Sequence, residues 1–522
     1  MQQPLNAHWA RGQQFEAQRD LQSARSEYEA LLRLDSRHIP ARLRLSRFAQ
    51  FNGRYREARQ HALQAADATR LGASARHLAY VTLRLLDFAE DAEVASVILS
   101  ADWSDPDILR QSPALAQHLW LAGRYDDALR FLDGVQPRLP SNALLTFTRA
   151  NVLRYLGRLQ EAGVFHERSL ALDPTLVDAH WAIATQARDG MQGRRLARLE
   201  AARQAHPADG IEQAHLLYSL FHEYDRGRDP RAWQALASGA SIMQQRLRHD
   251  PAQDRARLAA LLALDCSPGT ETEAKAEQPT PLFIVGLPRT GTTLLDRILG
   301  NHGWVSSVGE RNDFAAAVSD VSDRFFSTLL ETDRPADFMH IDHRAVGHLY
   351  MQRLRRHASA TAFAVDKNPQ NFFNIPLILK ALPHARILVM QRQPMDAAFS
   401  NLKELFQGSA YAYSYDFQSL ATRLRGVEKL MAHWQRAAPR AVKVVSYESL
   451  VDHPQATIAG VLDFAGLPAW PGLADITGNQ APVATASSAQ VREPINSRGV
   501  GAWKRYAAEL EPLRVLLDAP AA

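Results

Sequence analysis

The pattern of apolar and polar positions divides the chain into two parts with different periods. In the first half, a short motif recurs. It begins with a turn residue and a polar residue, often continues with Leu or Tyr, and has Ala five positions after its first residue. Clear copies begin at Gly53, Gly123 and Gly157, and weaker ones at Arg19, Asp87 and Gly227. The first five starting positions are 34, 34, 36 and 34 residues apart, and the sixth lies 70 residues further on. The spacing predicts repeated pairs of helices joined by short turns.

This period, with glycine at the turn and a small alanine after it, resembles the tetratricopeptide (TPR) repeat. Glycine adopts the backbone conformation that the turn needs, and alanine allows the next helix to approach closely. Each helix pair leaves an apolar face that only a neighbouring pair can bury, so we expect an α-helical solenoid. The resemblance implies a groove that binds the substrate of the second half or a peptide or protein partner. A generic helical domain with chance glycines is the alternative.

Residues 266–280 contain no large apolar side chain and are typical of a surface linker. Short apolar runs of the kind found in buried strands follow it. They are Leu282–Val285, Phe363–Val365, Ile387–Met390 and Val442–Val445, and helical patterns such as Thr292–Leu299 lie between them. We therefore predict a helical domain over residues 1–265, a linker over 266–280, and an α/β domain with a mainly parallel sheet over 281–522.

The glycine-rich segment from Gly286 to Thr293 lies between the first of these strands and a helix. In that position, backbone N–H groups and the positive end of the helix dipole can hold a phosphate. The segment is similar to the nucleoside-triphosphate loop, but Thr292 occupies the place of the lysine that reaches the outer phosphates. We therefore expect a nucleotide with a single 5′ phosphate rather than ATP or GTP.

The segment Pro288-Arg289-Thr290-Gly291-Thr292-Thr293 resembles the phosphate loop of sulfotransferases that use 3′-phosphoadenosine-5′-phosphosulfate (PAPS), in which a serine usually stands at the Thr290 position. The resemblance implies that the 5′-phosphosulfate is bound by Arg289, Thr290, Gly291, Thr292 and Thr293. PAPS is then the co-substrate, and 3′,5′-ADP (PAP) is the product.

Two later motifs resemble the parts of that family that hold the 3′ phosphate. Arg392 follows a strand, with Ser400 eight residues on and Lys403 nearby. Guanidinium gives a forked and permanently charged contact with phosphate. Near the end of the chain, Arg498 and Gly499 resemble the family's closing loop. Together with the repeats, the chain resembles the bacterial TPR-containing sulfotransferases and, in its glutamate placement, the tyrosylprotein sulfotransferases.

The resemblance also indicates three catalytic residues: Glu310, Lys367 and Arg289. A carboxylate such as Glu310 can accept the proton of an attacking phenol or alcohol. His302 is the competing base, since cytosolic sulfotransferases use histidine, although its place at the end of a helix favours a capping role. Lys367 lies in a Lys-Asn-Pro element and is expected to stabilise charge on the transferred group. Because basic side chains can replace Mg²⁺ in sulfuryl transfer, no metal is predicted.

The composition limits which partners and which cellular location we expect. The net charge of +4 does not favour nucleic acid as a partner, and the single cysteine, Cys266, allows no intrachain disulfide. No apolar run approaches the length of a membrane span, so we expect a cytoplasmic protein. The acceptor is expected to be a tyrosine in a peptide or protein, with a glycan or small phenol as the other candidates. Two rival functions stay open: a nucleotide kinase-like phosphotransferase, and a TPR scaffold with a degenerate nucleotide-binding domain.

Overall fold

The computed structural model of the chain describes residues 2–186, 192–269, 278–358, 360–406, 408–485, 488 and 490–519. It contains two compact units. The first unit is Met1–Phe165 together with Asn312–Ser327, and the second is His166–Arg311 together with Thr328–Ala522.

The first unit is built from helices that follow one another through short turns. These helices are α1 (Gln2–Ala17), α2 (Leu21–Leu34), α3 (Ile39–Phe51), α4 (Tyr55–Arg70), α5 (Leu78–Leu86), α6 (Asp91–Leu99), α7 (Pro106–Leu121), α8 (Tyr125–Val135), α9 (Ala143–Tyr155) and α10 (Leu159–Leu172), the last of which contains the boundary between the units. Every second connection between these helices contains one residue with a left-handed backbone conformation. These residues are Arg19, Gly53, Ala89, Gly123 and Gly157. Helix pairs therefore occur at the predicted spacing, and the assignment to the TPR family stays a prediction.

Among the five copies from Arg19 to Gly157, one has a different register in the structure. The left-handed residue is Ala89 (φ 54°), two positions after the predicted start at Asp87. The predicted small residue of that copy, Ala92, is exposed, and Val94 is completely buried in its place. In the other four of these five copies the buried residue also lies five positions after the left-handed one, because the turn conformation sets which side of the following helix faces inward. The sixth copy differs, since its left-handed residue is Arg228, one position after Gly227.

The described part of the second unit begins with helices and continues into a sheet covered by further helices. Its helices are α11 (Val177–Gln186), α12 (Gln192–Gln204), α13 (Ile211–Arg226), α14 (Ala232–Leu247), α15 (Pro251–Leu262) and α16 (Thr292–Leu299); then, after α17 (Asp313–Ser322), which belongs to the first unit, α18 (His343–His357), α19 (Ile375–Ala381), α20 (Pro394–Leu402), α21 (Phe417–Ala437), α22 (Tyr447–Asp452), α23 (Pro454–Ala465) and α24 (Glu511–Asp518).

Within the described residues, five strands of the second unit form one parallel sheet. They are β1 (Thr280–Gly286), β2 (Val305–Gly309), β3 (Phe363–Asp366), β4 (Arg386–Gln391) and β5 (Val442–Ser446), in the order β2-β3-β1-β4-β5. The parallel sheet confirms that part of the predicted fold. Strand β2 is absent from the sequence prediction, because an edge strand with two serines lacks the continuous apolar run of a central one.

Contacts within the second unit explain why it includes α11 to α15. Arg423 on α21 makes two hydrogen bonds, of 2.9 and 2.7 Å, to the buried carboxylate of Asp254 on α15. The Tyr218 hydroxyl on α13 donates to the carbonyl of Leu402 on α20 at 3.0 Å. The compact units therefore do not coincide with the domains 1–265 and 281–522. The predicted linker stays a prediction, since residues 270–277 lie outside the described residues.

Candidate active site

Residues of the candidate site follow the carboxyl ends of all five strands. The glycine-rich loop follows β1, Glu310 follows β2, Lys367 follows β3, Arg392 follows β4 and Tyr447 follows β5. In a parallel sheet these ends share one edge, which is where ligands bind in α/β folds. Neighbouring strands are about 4.8 Å apart, so Lys367 and Arg392 flank the loop, and Glu310 lies about two strand spacings from it.

The loop after β1 depends on glycine at two positions. A Cβ on Gly286 (φ 141°) would lie 2.7 Å from the carbonyl oxygen of Met390, and one on Gly291 (φ 103°) would lie 2.6 Å from the ring of Tyr447. Gly291 is also the N-cap of α16, and no side chain caps this helix. The first backbone N–H groups of α16 therefore have no side-chain partner at the cap and are oriented to bind an anion.

The threonines of the loop are buried, and their hydroxyl groups differ in what they contact. Thr290 donates to the carbonyl oxygen of Leu287 at 2.7 Å, so its hydroxyl hydrogen stabilises the loop itself. Thr293 donates to the hydroxyl of Thr485 at 3.4 Å, and Thr292 is 5% exposed at the start of α16. The Thr290 hydroxyl hydrogen is therefore used within the loop, and the predicted contact of Thr290 with the phosphosulfate stays a prediction.

Arg392 connects three of the sequence motifs. Its Nη1 donates to the carbonyl oxygen of Arg289 at 2.9 Å, and its Nη2 donates to that of Gly499 at 2.5 Å. The guanidinium lies over the Tyr447 ring at 4.6 Å. Burial lowers the pKa of Arg392. Among the residues that the structure describes, nothing accepts a hydrogen bond from its Nε.

Gly499 lies so close to this cluster that a side chain would not fit. A Cβ on Gly499 would be 2.9 Å from Nη2 of Arg392 and 3.0 Å from the Tyr447 hydroxyl. The neighbouring Arg498 is different, because its side chain is 71% exposed and hydrogen-bonds to Asn496 and Glu493. Of the two predicted closing-loop residues, the structure therefore brings Gly499 to the site and directs the Arg498 side chain elsewhere.

Helix α20 holds the first loop and the closing loop together. The amide of Asn401 donates to the carbonyl of Pro288 at 3.0 Å, and Asp396 accepts from the backbone N–H of Gly501 at 2.7 Å. Ser400 is 4% exposed on the same helix. Lys403 follows it, and burial, together with the charge of Arg289, lowers its pKa to about 8.

Two of the residues predicted to be catalytic, Glu310 and Lys367, contact each other in the structure. Lys367, which is 2% exposed, donates from Nζ to Oε1 of Glu310, whose side chain is 43% exposed. The backbone N–H of Lys367 donates to the carbonyl of Gly309 at 3.0 Å, which fixes the two strand ends. The carboxylate is thus held on one side by a buried ammonium and is accessible on the other.

Arg289, the third predicted catalytic residue, has a left-handed backbone (φ 67°). Its guanidinium lies 3.7 Å from Glu404 and 3.4 Å from the amide oxygen of Gln490. The side chain is therefore held between α20 and the segment that precedes the closing loop.

His302 is buried and engaged at both ring nitrogens. Nε2 lies 3.0 Å from the carbonyl oxygen of Pro468, and Nδ1 accepts from the backbone N–H of Trp304 at 3.1 Å. The residue precedes β2, so it lies at the amino edge of the sheet, opposite Glu310. This geometry favours Glu310 over His302 as the base.

Sequence analysis did not identify Tyr447, Asp396 and Asn401. Tyr447 lies two positions after a predicted strand, which is a signal that could have found it. Asp396 and Asn401 stabilise the site through backbone groups, and no sequence spacing indicates such partners.

Comparison with known proteins finds one family model that matches part of the chain. Residues 281–472 match the model of the sulfotransferase family. The chain is 24% identical over 405 residues to an uncharacterised protein of Aquifex aeolicus (strain VF5), covering 75% of this chain and 52% of that protein. It is 22% identical over 232 residues to protein-tyrosine sulfotransferase 1 of Danio rerio, covering 42% of this chain and 65% of that protein. The chain thus spans about half the length of the first relative and under two thirds of the second.

Among solved structures, the sulfotransferase domain of the Synechococcus PCC 7002 olefin synthase is similar, with 17% identity and a TM-score of 0.31 over 48% of this chain and 94% of that domain. In the described ranges, no helix is both long and apolar enough to cross a membrane.

Proposed function

We propose that the α/β domain, which matches the sulfotransferase family over residues 281–472, transfers the sulfuryl group of PAPS to an acceptor hydroxyl. The observation that carries this proposal is the bridging position of Arg392 between the first loop and the closing loop. A nucleotide with phosphates at both 3′ and 5′ positions needs two separate anion sites, and the motifs for both meet at this guanidinium.

The residues at the sheet edge suit both phosphate groups. The N–H groups at the start of α16 and the Arg289 guanidinium are donors for the 5′-phosphosulfate. The second group of donors comes from Arg392, with its unpartnered Nε, and from Ser400 and the backbone of Gly499. Because β1 and β4 are neighbours, the two groups of donors lie on adjacent strand ends.

In the proposed reaction, the acceptor oxygen forms a bond to sulfur while the bond between sulfur and the phosphate oxygen breaks. The proton of the acceptor hydroxyl goes to Glu310, and the products are the sulfated acceptor and PAP. Lys367 stabilises the charge on the transferred sulfuryl group, and Arg289 stabilises the negative charge that moves onto the leaving phosphate oxygen. The buried Lys367 also orients Glu310 for the proton transfer.

We further propose that the acceptor is a tyrosine in a peptide or protein, and that the helical repeats bind this acceptor or a partner protein. The glutamate placement and the similarity to a protein-tyrosine sulfotransferase support the first part. The repeated helix pairs, whose stacking would form a groove, support the second.

Calorimetric titration with PAP and with ATP–Mg²⁺ tests the cofactor. We expect PAP to bind without Mg²⁺, and Arg392→Ala and Arg289→Ala each to weaken binding by at least tenfold. The matched control is Arg386→Ala, at the opposite end of the strand that precedes Arg392, which should leave PAP affinity unchanged. Binding of ATP–Mg²⁺ and not of PAP would favour the kinase-like phosphotransferase, and binding of neither would favour the degenerate scaffold.

A further inference from the structure

The closing loop is anchored to a helix that precedes the α/β domain in the chain. After Gly499 the loop continues into a short 3₁₀ helix, Ala502–Tyr506. The Tyr506 hydroxyl donates to Oδ1 of Asp225 on α13 at 2.7 Å, and Nη1 of Arg505 lies 2.8 Å from the same oxygen. Nη1 of Arg505 also donates to the backbone carbonyl of Asp225 at 2.6 Å. One residue of α13 therefore holds two consecutive residues that follow the closing loop.

The Tyr506 side chain is packed between three helices. It is buried, and its ring centroid lies 6.1 Å from that of Phe221 on α13, 5.7 Å from that of Trp233 on α14 and 5.4 Å from that of Phe399 on α20. Aromatic rings at these separations attract one another. The packing fixes the ring, so the Tyr506 hydroxyl is directed at the Asp225 carboxylate.

Helix α20 connects this anchor with the proposed nucleotide site. Phe399, which contacts Tyr506, is followed directly by Ser400, one of the residues proposed to bind the 3′ phosphate. One turn earlier on the same helix, Asp396 accepts from the backbone N–H of Gly501 at 2.7 Å. Because α13 also donates a hydrogen bond to the end of α20, the two helices and the closing loop form one connected set of contacts.

The closing loop is thus held on both sides. Arg392 binds the carbonyl of Gly499 at one end, and Asp225 binds the helix that follows the loop at the other. A loop that is already fixed loses less conformational freedom when a ligand binds. The side chains of Asp225 and Arg505 are 34% and 37% exposed, so replacing one of them does not leave a fully buried charge.

We propose that Asp225 is a positioning residue for the nucleotide, because it fixes the closing loop in the conformation that places the Gly499 backbone beside Arg392. This proposal rests on the proposed function, since the loop acts on the nucleotide of the same reaction. Asp225 acts through Arg505 and Tyr506 rather than by contact with the nucleotide. The helix α13, which the sequence prediction assigns to the repeat domain, thereby contributes directly to nucleotide affinity.

Two measurements on the full chain test the proposal. Hydrogen–deuterium exchange reports the opening of residues 499–506 without nucleotide, since the backbone N–H groups of Val500, Gly501 and Lys504 donate hydrogen bonds. In Asp225→Ala this exchange should be about fivefold faster or more, because a hydrogen bond to a charged acceptor contributes at least this factor. Calorimetric titration should show PAP binding about fivefold weaker or more, since PAP must then close the loop.

Tyr506→Phe keeps the ring in its aromatic surroundings and removes only the hydroxyl group. It should show the same two effects, at a smaller size. The double variant Asp225→Ala/Tyr506→Phe should bind PAP as Asp225→Ala does, because both substitutions remove the same hydrogen bond. Additive losses of PAP affinity would contradict the proposal, since Tyr506 would then act by a route other than Asp225.

Asp229→Ala is the matched control. Its carboxylate lies in the turn after α13, is 24% exposed and pairs with Arg231 at 2.7 Å rather than with the closing loop. The variant should leave both the exchange of residues 499–506 and the affinity for PAP unchanged.

Three results would overturn the proposal. The first is exchange of residues 499–506 that Asp225→Ala does not change. The second is faster exchange with unchanged PAP affinity, which would mean that the anchor does not serve the nucleotide. The third is faster exchange spread evenly over the second unit with a lowered melting temperature, which would show a purely structural role.

Failure of the proposed function has a different result. If the unchanged protein does not bind PAP, the proposed function is wrong, and the nucleotide role of Asp225 is wrong with it. The exchange measurement needs no nucleotide, so it distinguishes this case from a closing loop that Asp225 does not hold.

Discussion

Nη2 of Arg392 donates to the carbonyl oxygen of Gly499 at 2.5 Å, although 107 residues separate them in sequence. The same guanidinium holds the carbonyl of Arg289 on the first loop. One side chain therefore joins two loops, and each loop brings backbone donors to the proposed nucleotide site. Two predictions concern this site, and two concern buried groups elsewhere in the chain.

Gly499→Ala should weaken PAP binding by about tenfold or more. The new Cβ would lie 2.9 Å from Nη2 of Arg392 and 3.0 Å from the Tyr447 hydroxyl, so the closing loop must move away. Gly478→Ala is the control, because a Cβ there meets nothing within 4 Å. Calorimetric titration with PAP measures the effect, and equal affinities for the two variants would show that the contact does not position the loop.

Glu310→Gln and Lys367→Ala should each lower kcat by about 10²- to 10⁴-fold while PAP affinity changes little. Glutamine cannot accept the acceptor proton, and loss of Lys367 removes both the charge at the reacting group and the hydrogen bond to Glu310. Rates with radiolabelled PAPS, beside PAP titrations, separate the two effects. The double variant should be little slower than either single variant if the two side chains act as one unit.

Asp254→Ala should destabilise the protein by about 3–5 kcal/mol. The substitution leaves the guanidinium of Arg423, which is 6% exposed, buried without its two charged hydrogen bonds. Asp333→Ala is the control, since its exposed pair with Arg257 contributes at most about 1 kcal/mol. Urea unfolding followed by circular dichroism measures both changes. Similar losses for the two variants would mean that the buried pair is not a stabilising contact of the second unit.

His118 should make stability fall as the pH is lowered. Burial lowers its pKa from 6.5 to about 4. Below pH 6.5 the unfolded chain therefore binds a proton that the folded chain does not, and stability decreases down to about pH 4, by up to about 3 kcal/mol. The Thr82 hydroxyl lies 2.8 Å from Nδ1 of His118 and hydrogen-bonds to the ring.

His118→Gln removes this titration, so its melting temperature should decrease less between pH 7 and pH 4 than that of the unchanged protein. His453→Gln, at an exposed position, is the control and should keep the full decrease. A pH dependence that is identical for His118→Gln and the unchanged protein would assign acid sensitivity to other groups.

The sequence predicted the elements whose signals are local. Four of the five strands are continuous apolar runs, so their prediction needed no knowledge of neighbours, and β2 was missed because its serines at the sheet edge give no such run. The turns at Gly53, Gly123 and Gly157 were predicted because glycine adopts a left-handed backbone at no steric cost. The turn at Ala89 was misplaced, because no glycine marks it and packing alone holds that conformation.

The tertiary structure decided the relationships that join distant positions. The sequence by itself indicated Arg289, Glu310, Lys367, Arg392 and Gly499 as site residues, because each belongs to a short motif next to a strand or loop. It did not show that Lys367 bonds to Glu310, that Arg498 turns away from Arg392, or that Tyr506 bonds to Asp225 on α13. Such contacts depend on the strand order β2-β3-β1-β4-β5 and on the packing of helices far apart in the chain. The local sequence limits which helices and strands form. Which side chains contact one another is determined only when the whole unit packs and buries its core.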